Sequence, residues 1–143
     1  MKNEMIQYHF EELIKTLITL ASSADRQIEI MGYGFVGDDM LIDFETHYEH
    51  IGVYLNHGLV SENQFKCINE LNDLLDIWLK SQSDDFTLDP YELHNNKVWE
   101  DIRLEAKKLL EILEMDHLDL TITRKTEGNL EWTKTKLINK GIV

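Results

Sequence analysis

Apolar residues near the start of the chain fall at Met5, Tyr8 or His9, Leu13, Leu17 and Leu20, with Glu4, Glu11, Glu12 and Lys15 between them. This period of about 3.6 residues predicts an amphipathic helix over residues 4–20, stopped by Ser22-Ser23. Ile28 and Ile30 alternate as a strand would. An N-cap at Ser22 or Ser23 nevertheless favours a short helix over residues 24–31. Glycines at 32, 34 and 37 predict a connector, after which Asp38 or Asp39 caps a second long helix. Its apolar positions are Met40, Leu41, Phe44, Tyr48, Ile51 and Leu55, and Gly58 stands where a left-handed C-terminal cap is wanted.

Ser61-Glu62-Asn63-Gln64 has the form of a capping box, followed by Phe65, Ile68, Leu71, Leu74, Leu75, Trp78 and Leu79 on one face. Residues 81–89 read as a polar loop. Asp89-Pro90 then gives an N-cap with proline in the first helical position, opening a short turn of helix that Asn95-Asn96 ends. Val98, Trp99, Ile102, Ala106, Leu109, Leu110 and Leu113 predict another helix. Beyond Asp116 the period changes to two: Leu118, Leu120 and Ile122 alternate with Asp119, Thr121 and Thr123. With a turn at Thr126-Glu127-Gly128-Asn129 before Leu130 and Trp132, this predicts a β-hairpin that must pack on the helices. The fold class is therefore mainly α. One compact helical domain spans residues 1–143, with a helical body at 1–115 and a hairpin-like or irregular tail at 116–143.

Composition supports one domain. A chain of 143 residues that is 43% hydrophobic buries roughly 70% of its unfolded surface. The single cysteine, Cys67, cannot form an intrachain disulfide, and its neighbours Ile68 and Leu71 suggest a buried structural thiol. The first residues offer no basic segment followed by an apolar run, and no stretch approaches the roughly 20 apolar residues of a membrane span. A cytoplasmic protein is expected.

Three patterns invite a chemical reading. Gly32-Tyr33-Gly34-Phe35-Val36-Gly37 fits the glycine pattern that cradles a pyrophosphate, but Asp38 and Asp39 would put two negative charges where phosphates sit. A glycine-rich connector is the better account, and no cofactor is expected. Asp43, His47 and His50 are spaced to share one helix face, with Glu49 nearby. The remaining histidines, His9, His57, His94 and His117, look dispersed, and only Glu114-x-x-His117 resembles half of a di-iron pair. Nothing completes a metal site. No nucleophile signature appears, so no catalytic residue is assigned and the protein is expected not to be an enzyme.

Charge carries more information. The chain holds 27 acids against 14 bases, a formal net charge of −13. Residues 27–96 contain fourteen acids and only two bases, Lys66 and Lys80, a net −12, whereas residues 120–143 carry +3. A general nucleic-acid binder is disfavoured, because it would need Lys and Arg to neutralise phosphates. Concentrated like charge suits capture of a basic partner by electrostatic steering. The candidate partner-binding residues are Asp38, Asp39, Asp43, Glu45 and Glu49 around the second long helix, and Asp84, Asp85, Asp89 and Glu92 before the short one.

The chain also resembles the small acidic immunity proteins of bacterial polymorphic-toxin and contact-dependent growth-inhibition systems. The resemblance rests on Leu20-Ala21-Ser22 ahead of Gln27-Ile28, Gly32 ahead of Asp38-Asp39, Gly58-Leu59-Val60-Ser61 opening a helix, and Trp99-x-x-Ile102-Arg103 opening another. It touches about residues 20–113. What it implies is an antitoxin that binds a cognate basic toxin domain, commonly a nuclease, and neutralises it stoichiometrically, without direct contact to nucleic acid or membrane. Two other readings use the same residues: an acidic DNA mimic or antirepressor, and a metal-dependent hydrolase built around Asp43, His47 and His50.

Overall fold

The computed structural model describes residues 1–32 and 34–141. Helix α1 (Asn3–Ala21) runs through the middle of the molecule and packs on α8 (Lys97–Ile112) and α3 (Val36–Tyr48). Ile6, Phe10, Leu13, Ile14, Leu17, Ile18 and Leu20 are all buried. The sequence pattern predicts an amphipathic α1, but its C-terminal half is covered on every side. Thr16 and Thr19 are buried there too, and their hydroxyls donate back to the carbonyls of Glu12 and Lys15, each at 2.9 Å. The interior polar atoms are thus satisfied within the helix itself. Each fully buried Leu of α1 stabilises the fold by about 1.5–3 kcal/mol.

Short helix α2 (Ala24–Met31) is capped by Ser23, whose side chain accepts from the Arg26 N–H. Helix α5 (Glu62–Lys80) begins at the Ser61–Gln64 capping box, with both reciprocal bonds formed, and packs on α8. Asp89 caps α7 (Pro90–Asn95) and Asn96 caps α8.

Three sequence-based boundaries differ from the structure. The long helix after the glycines begins earlier, at Val36, and neither Asp38 nor Asp39 caps it; Phe35 holds the N-cap position, and both aspartates lie in the first turn. That helix also divides at Glu49-His50 into α3 and α4 (Ile51–Asn56). The Tyr54 hydroxyl donates to the His47 carbonyl at 2.7 Å, replacing the lost helical bond and letting the Tyr54 ring turn into the core. Finally, the polar loop at 81–89 contains one helical turn, α6 (Asp85–Leu88). Its single aromatic residue, Phe86, stacks on Trp99 at 4.7 Å and is buried.

The tail is the predicted hairpin. Strands β1 (Leu118–Glu127) and β2 (Leu130–Asn139) pair antiparallel, Leu120 opposite Leu137 and Glu127 opposite Leu130, around Gly128 at φ 61°. Leu120 is buried in the core, and Leu118, Ile122 and Leu137 pack partly against it. Cations fasten the rest: Lys15 donates to the Thr135 carbonyl at 2.9 Å, Arg26 to that of Leu120 at 2.7 Å, and Arg124 to that of Glu29. Part of the basic charge of the molecule is therefore committed to docking this hairpin.

Among the other sequence expectations, Trp99 is fully buried, but Trp78 and Cys67 are only half-buried at the edge of the core. No helix among the described residues is long and apolar enough to cross a membrane.

Candidate functional site

Helix α3 carries four of the nine candidate carboxylates and Glu49 caps its C-terminal end, and the helical period divides the five between two faces. Asp38, Glu45 and Glu49 turn toward α5 and line a groove of about 530 Å³. Its floor is apolar, with Leu41, Ile42, Leu75 and Leu79; α5 adds Asp76 and Asn72, and α6 adds Thr87. Among the described residues no Lys or Arg lines it. Lys80, on α5, pairs with Asp76 at 2.9 Å. Tyr48 lies at the same wall and donates to Asn69 Oδ1 at 2.5 Å, and burial, with the charge of Asp73 behind it, raises its pKa.

Asp39 and Asp43 belong to the other side of the helix, Asp39 exposed beside the Gly34 connector and Asp43 facing α1. Asp43 lines a smaller cavity of about 200 Å³ between α1, α3 and the hairpin, together with Glu12, Lys15 and Thr135. Burial raises the Asp43 pKa first, and the charges of Asp39 and Glu12 raise it further. The second group of candidates also divides. Asp84 and Asp85 are exposed at the start of α6, but Asp89 is occupied in capping α7, and Glu92 accepts from Asn96 Nδ2 at 2.9 Å. Among the described residues none of the nine carboxylates has a Lys, Arg or His ion-pair partner. The pairs that do form all involve other acids.

Sequence spacing placed Asp43, His47 and His50 on one helical face. The structure puts His50 beyond the end of α3, and it brings in His9, which had looked isolated. His9 Nδ1 and His47 Nδ1 are 3.1 Å apart, and the His9 and His50 rings stand 4.2 Å apart. Burial lowers the His47 pKa, the charges of His9 and His50 lower it further, and Glu12 opposes them. The Glu114-x-x-His117 half-motif does not survive, because Glu114 follows α8 in a left-handed conformation, φ 59°, so the two side chains share no helix face.

The glycine pattern has a packing explanation. Gly32 and Gly34 take φ values of 78° and 116°, while a Cβ on Gly37 would meet Trp99 Cζ2 at 2.7 Å and the Thr87 carbonyl at 3.0 Å. Tyr33, within this pattern, lies outside the described residues. Of the residues behind the immunity-protein resemblance, Leu20, Gln27, Val60, Trp99 and Ile102 are buried, whereas Asp39, Gly58 and Ser61 are exposed. Gln27 donates to the Leu20 carbonyl at 3.0 Å and accepts from Arg103, and Trp99 donates to the Phe86 carbonyl at 2.8 Å.

Asp76 was missed by sequence reasoning because it sits on α5 among well-spaced helical polar positions. Its only sequence signal is membership in the base-poor central segment. Compared with family models, curated proteins and solved structures, the chain matches none of them.

Proposed function

We propose that this chain is a non-catalytic binding protein that captures a basic protein partner in the groove between α3 and α5. The particular reading is an immunity protein acting in the cytoplasm on a toxin domain that grips nucleic-acid phosphates through Lys and Arg. The observation that carries it is the set of carboxylates at Asp38, Glu45 and Glu49, none with an ion-pair partner among the described residues, around an apolar floor. Like charges held together oppose folding, and a basic partner turns that cost into binding. Ile42, 49% exposed, gives such a partner an apolar anchor point among the acids.

The reading is tested by the neighbouring gene and its product. It requires a large secreted protein with a variable, basic C-terminal domain. Co-expression of this chain should rescue cells from that domain, and a groove variant with Glu45→Lys and Glu49→Lys should rescue them poorly. Rescue unaffected by the two reversals would reject the groove. Displacement of the chain by duplex DNA from several unrelated DNA-binding proteins would favour the DNA-mimic alternative.

A further inference from the structure

Two imidazoles from different helices meet at the seam between α1 and α3. The Nδ1 atoms of His9 and His47 are 3.1 Å apart while the ring centroids are 5.3 Å apart, so each ring turns the same nitrogen toward the other. Two facing lone pairs would repel, so one ring must donate a proton to the other. A single shared proton therefore holds the contact. The His50 ring lies against His9, and Tyr8 presents its ring edge-on to both His9 and His47.

Each helix places a carboxylate one turn from its histidine. Glu12 follows His9 by three residues on α1, and Asp43 precedes His47 by four on α3. Glu12, now paired with Lys15 at 3.1 Å, is close enough for its charge to act on both His47 and Asp43. The seam thus gathers three imidazoles and two carboxylates, contributed by α1, α3 and the residue that opens α4.

We propose that His9 and His47 are two ligands of a divalent transition-metal site, of the zinc type, that bridges α1 and α3. Two nitrogens 3.1 Å apart, each bonded at about 2.0–2.1 Å to one ion, subtend an angle of about 95–100°, between octahedral and tetrahedral values. The ion takes the place of the shared proton. Among the described residues no three His, Cys, Asp or Glu side chains already converge on one point. The histidine pair is therefore the anchor, and water, or Glu12 swung away from Lys15, fills the remaining positions. Imidazole ligands select zinc, nickel or copper over magnesium and calcium. This inference is independent of the groove and of any toxin.

The test is zinc titration of the full chain, followed by calorimetry and thermal unfolding, with magnesium at equal ionic strength as the control. One zinc ion per chain should bind, and saturating zinc should raise the melting temperature by several degrees, because an ion that binds only the folded state stabilises it. Magnesium should do neither. Affinity should fall at least tenfold in His9→Gln and in His47→Gln, persist in His57→Ala, and weaken as pH is lowered from 7 to 5.5. Zinc uptake undiminished in both glutamine variants would mean adsorption to the acidic surface and would overturn the site, as would no uptake. Should either variant fail to fold, histidine-ring NMR of the unaltered chain decides. Zinc must move the His9 and His47 signals before those of His57 and His117, and uniform movement of all of them contradicts the proposal.

Discussion

Arg103 of α8 donates from both Nε and Nη2 to the same oxygen of Gln27 on α2, at 3.3 and 3.1 Å, across 76 residues of sequence. Gln27 is fully buried, its amide nitrogen donates to the Leu20 carbonyl, and Arg103 also reaches the Leu93 carbonyl. One side-chain pair therefore ties together the C-terminus of α1, helix α2, α7 and α8. Burial lowers the Arg103 pKa, the mark of a cation drawn partly out of water and held there by its acceptors.

Replacing Gln27 with Leu removes that acceptor without opening a large cavity, and leaves the guanidinium and the Leu20 carbonyl short of partners. The expected loss is about 2–3 kcal/mol, because an unsatisfied buried polar group costs its desolvation. Thermal unfolding should then show a melting temperature lowered by about 4–10 °C. An unchanged value would mean that water replaces the Gln27 oxygen at no cost.

Gly37→Ala should destabilise despite the better helix propensity of alanine. That propensity is worth about 1 kcal/mol in an open helix, but here the new methyl would press on the Trp99 ring and the Thr87 backbone. Overpacking of this kind costs about 1–3 kcal/mol. Urea unfolding should give a lower midpoint with an unchanged slope.

Glu114→Gly should act in the opposite direction. Helix α8 ends with the Met115 N–H on the Leu110 carbonyl and the Glu114 N–H on that of Glu111, a closure that wants glycine at the left-handed position Glu114 now fills. A gain of about 0.5–1 kcal/mol is expected from relief of that strain, read as a higher urea midpoint.

Much of this architecture was legible because its signals are local. The Ser61 capping box, the Asp89-Pro90 start of α7 and the alternation from Leu118 to Ile122 each lie within a few residues, and each formed as spaced. Interior partnerships were not legible. Nothing near Phe86 announces that it stacks on Trp99, and nothing near His9 announces His47, 38 residues away. The acidic segment was visible from charge alone. Its division into a groove face and an α1 face required the phase of α3 and the position of α5, and the structural duties of Asp89 and Glu92 required their hydrogen bonds.

Asp43→Asn should stabilise the chain at neutral pH and not in acid. The folded state raises the Asp43 pKa through burial and through Asp39 and Glu12, so it holds the proton more readily than the unfolded chain does. The stabilising contribution of the protonated form is complete below the ordinary value of about 3.8 and is lost as pH rises through the raised one. Because the carboxylate sits at the open mouth of the cavity, only partly withdrawn from water, solvent screening limits the gain in Asp43→Asn to about 0.5 kcal/mol. Melting curves of the two proteins should coincide near pH 3 and separate toward pH 7; the reverse order would mean that Asp43 has an unrecognised cationic partner.

The groove between α3 and α5 is proposed to act as an electrostatic trap for a basic protein. Its most direct test is the association rate with the basic toxin domain as salt rises from 20 to 300 mM, for the unaltered chain and for Asp38→Asn, Glu45→Gln, Glu49→Gln and Asp76→Asn combined. The unaltered chain should slow by at least about tenfold as its charges are screened. The neutralised variant should start slower and depend little on salt. A flat response of the unaltered chain, or equal rates for the two proteins, would mean that the groove carboxylates do not steer the partner.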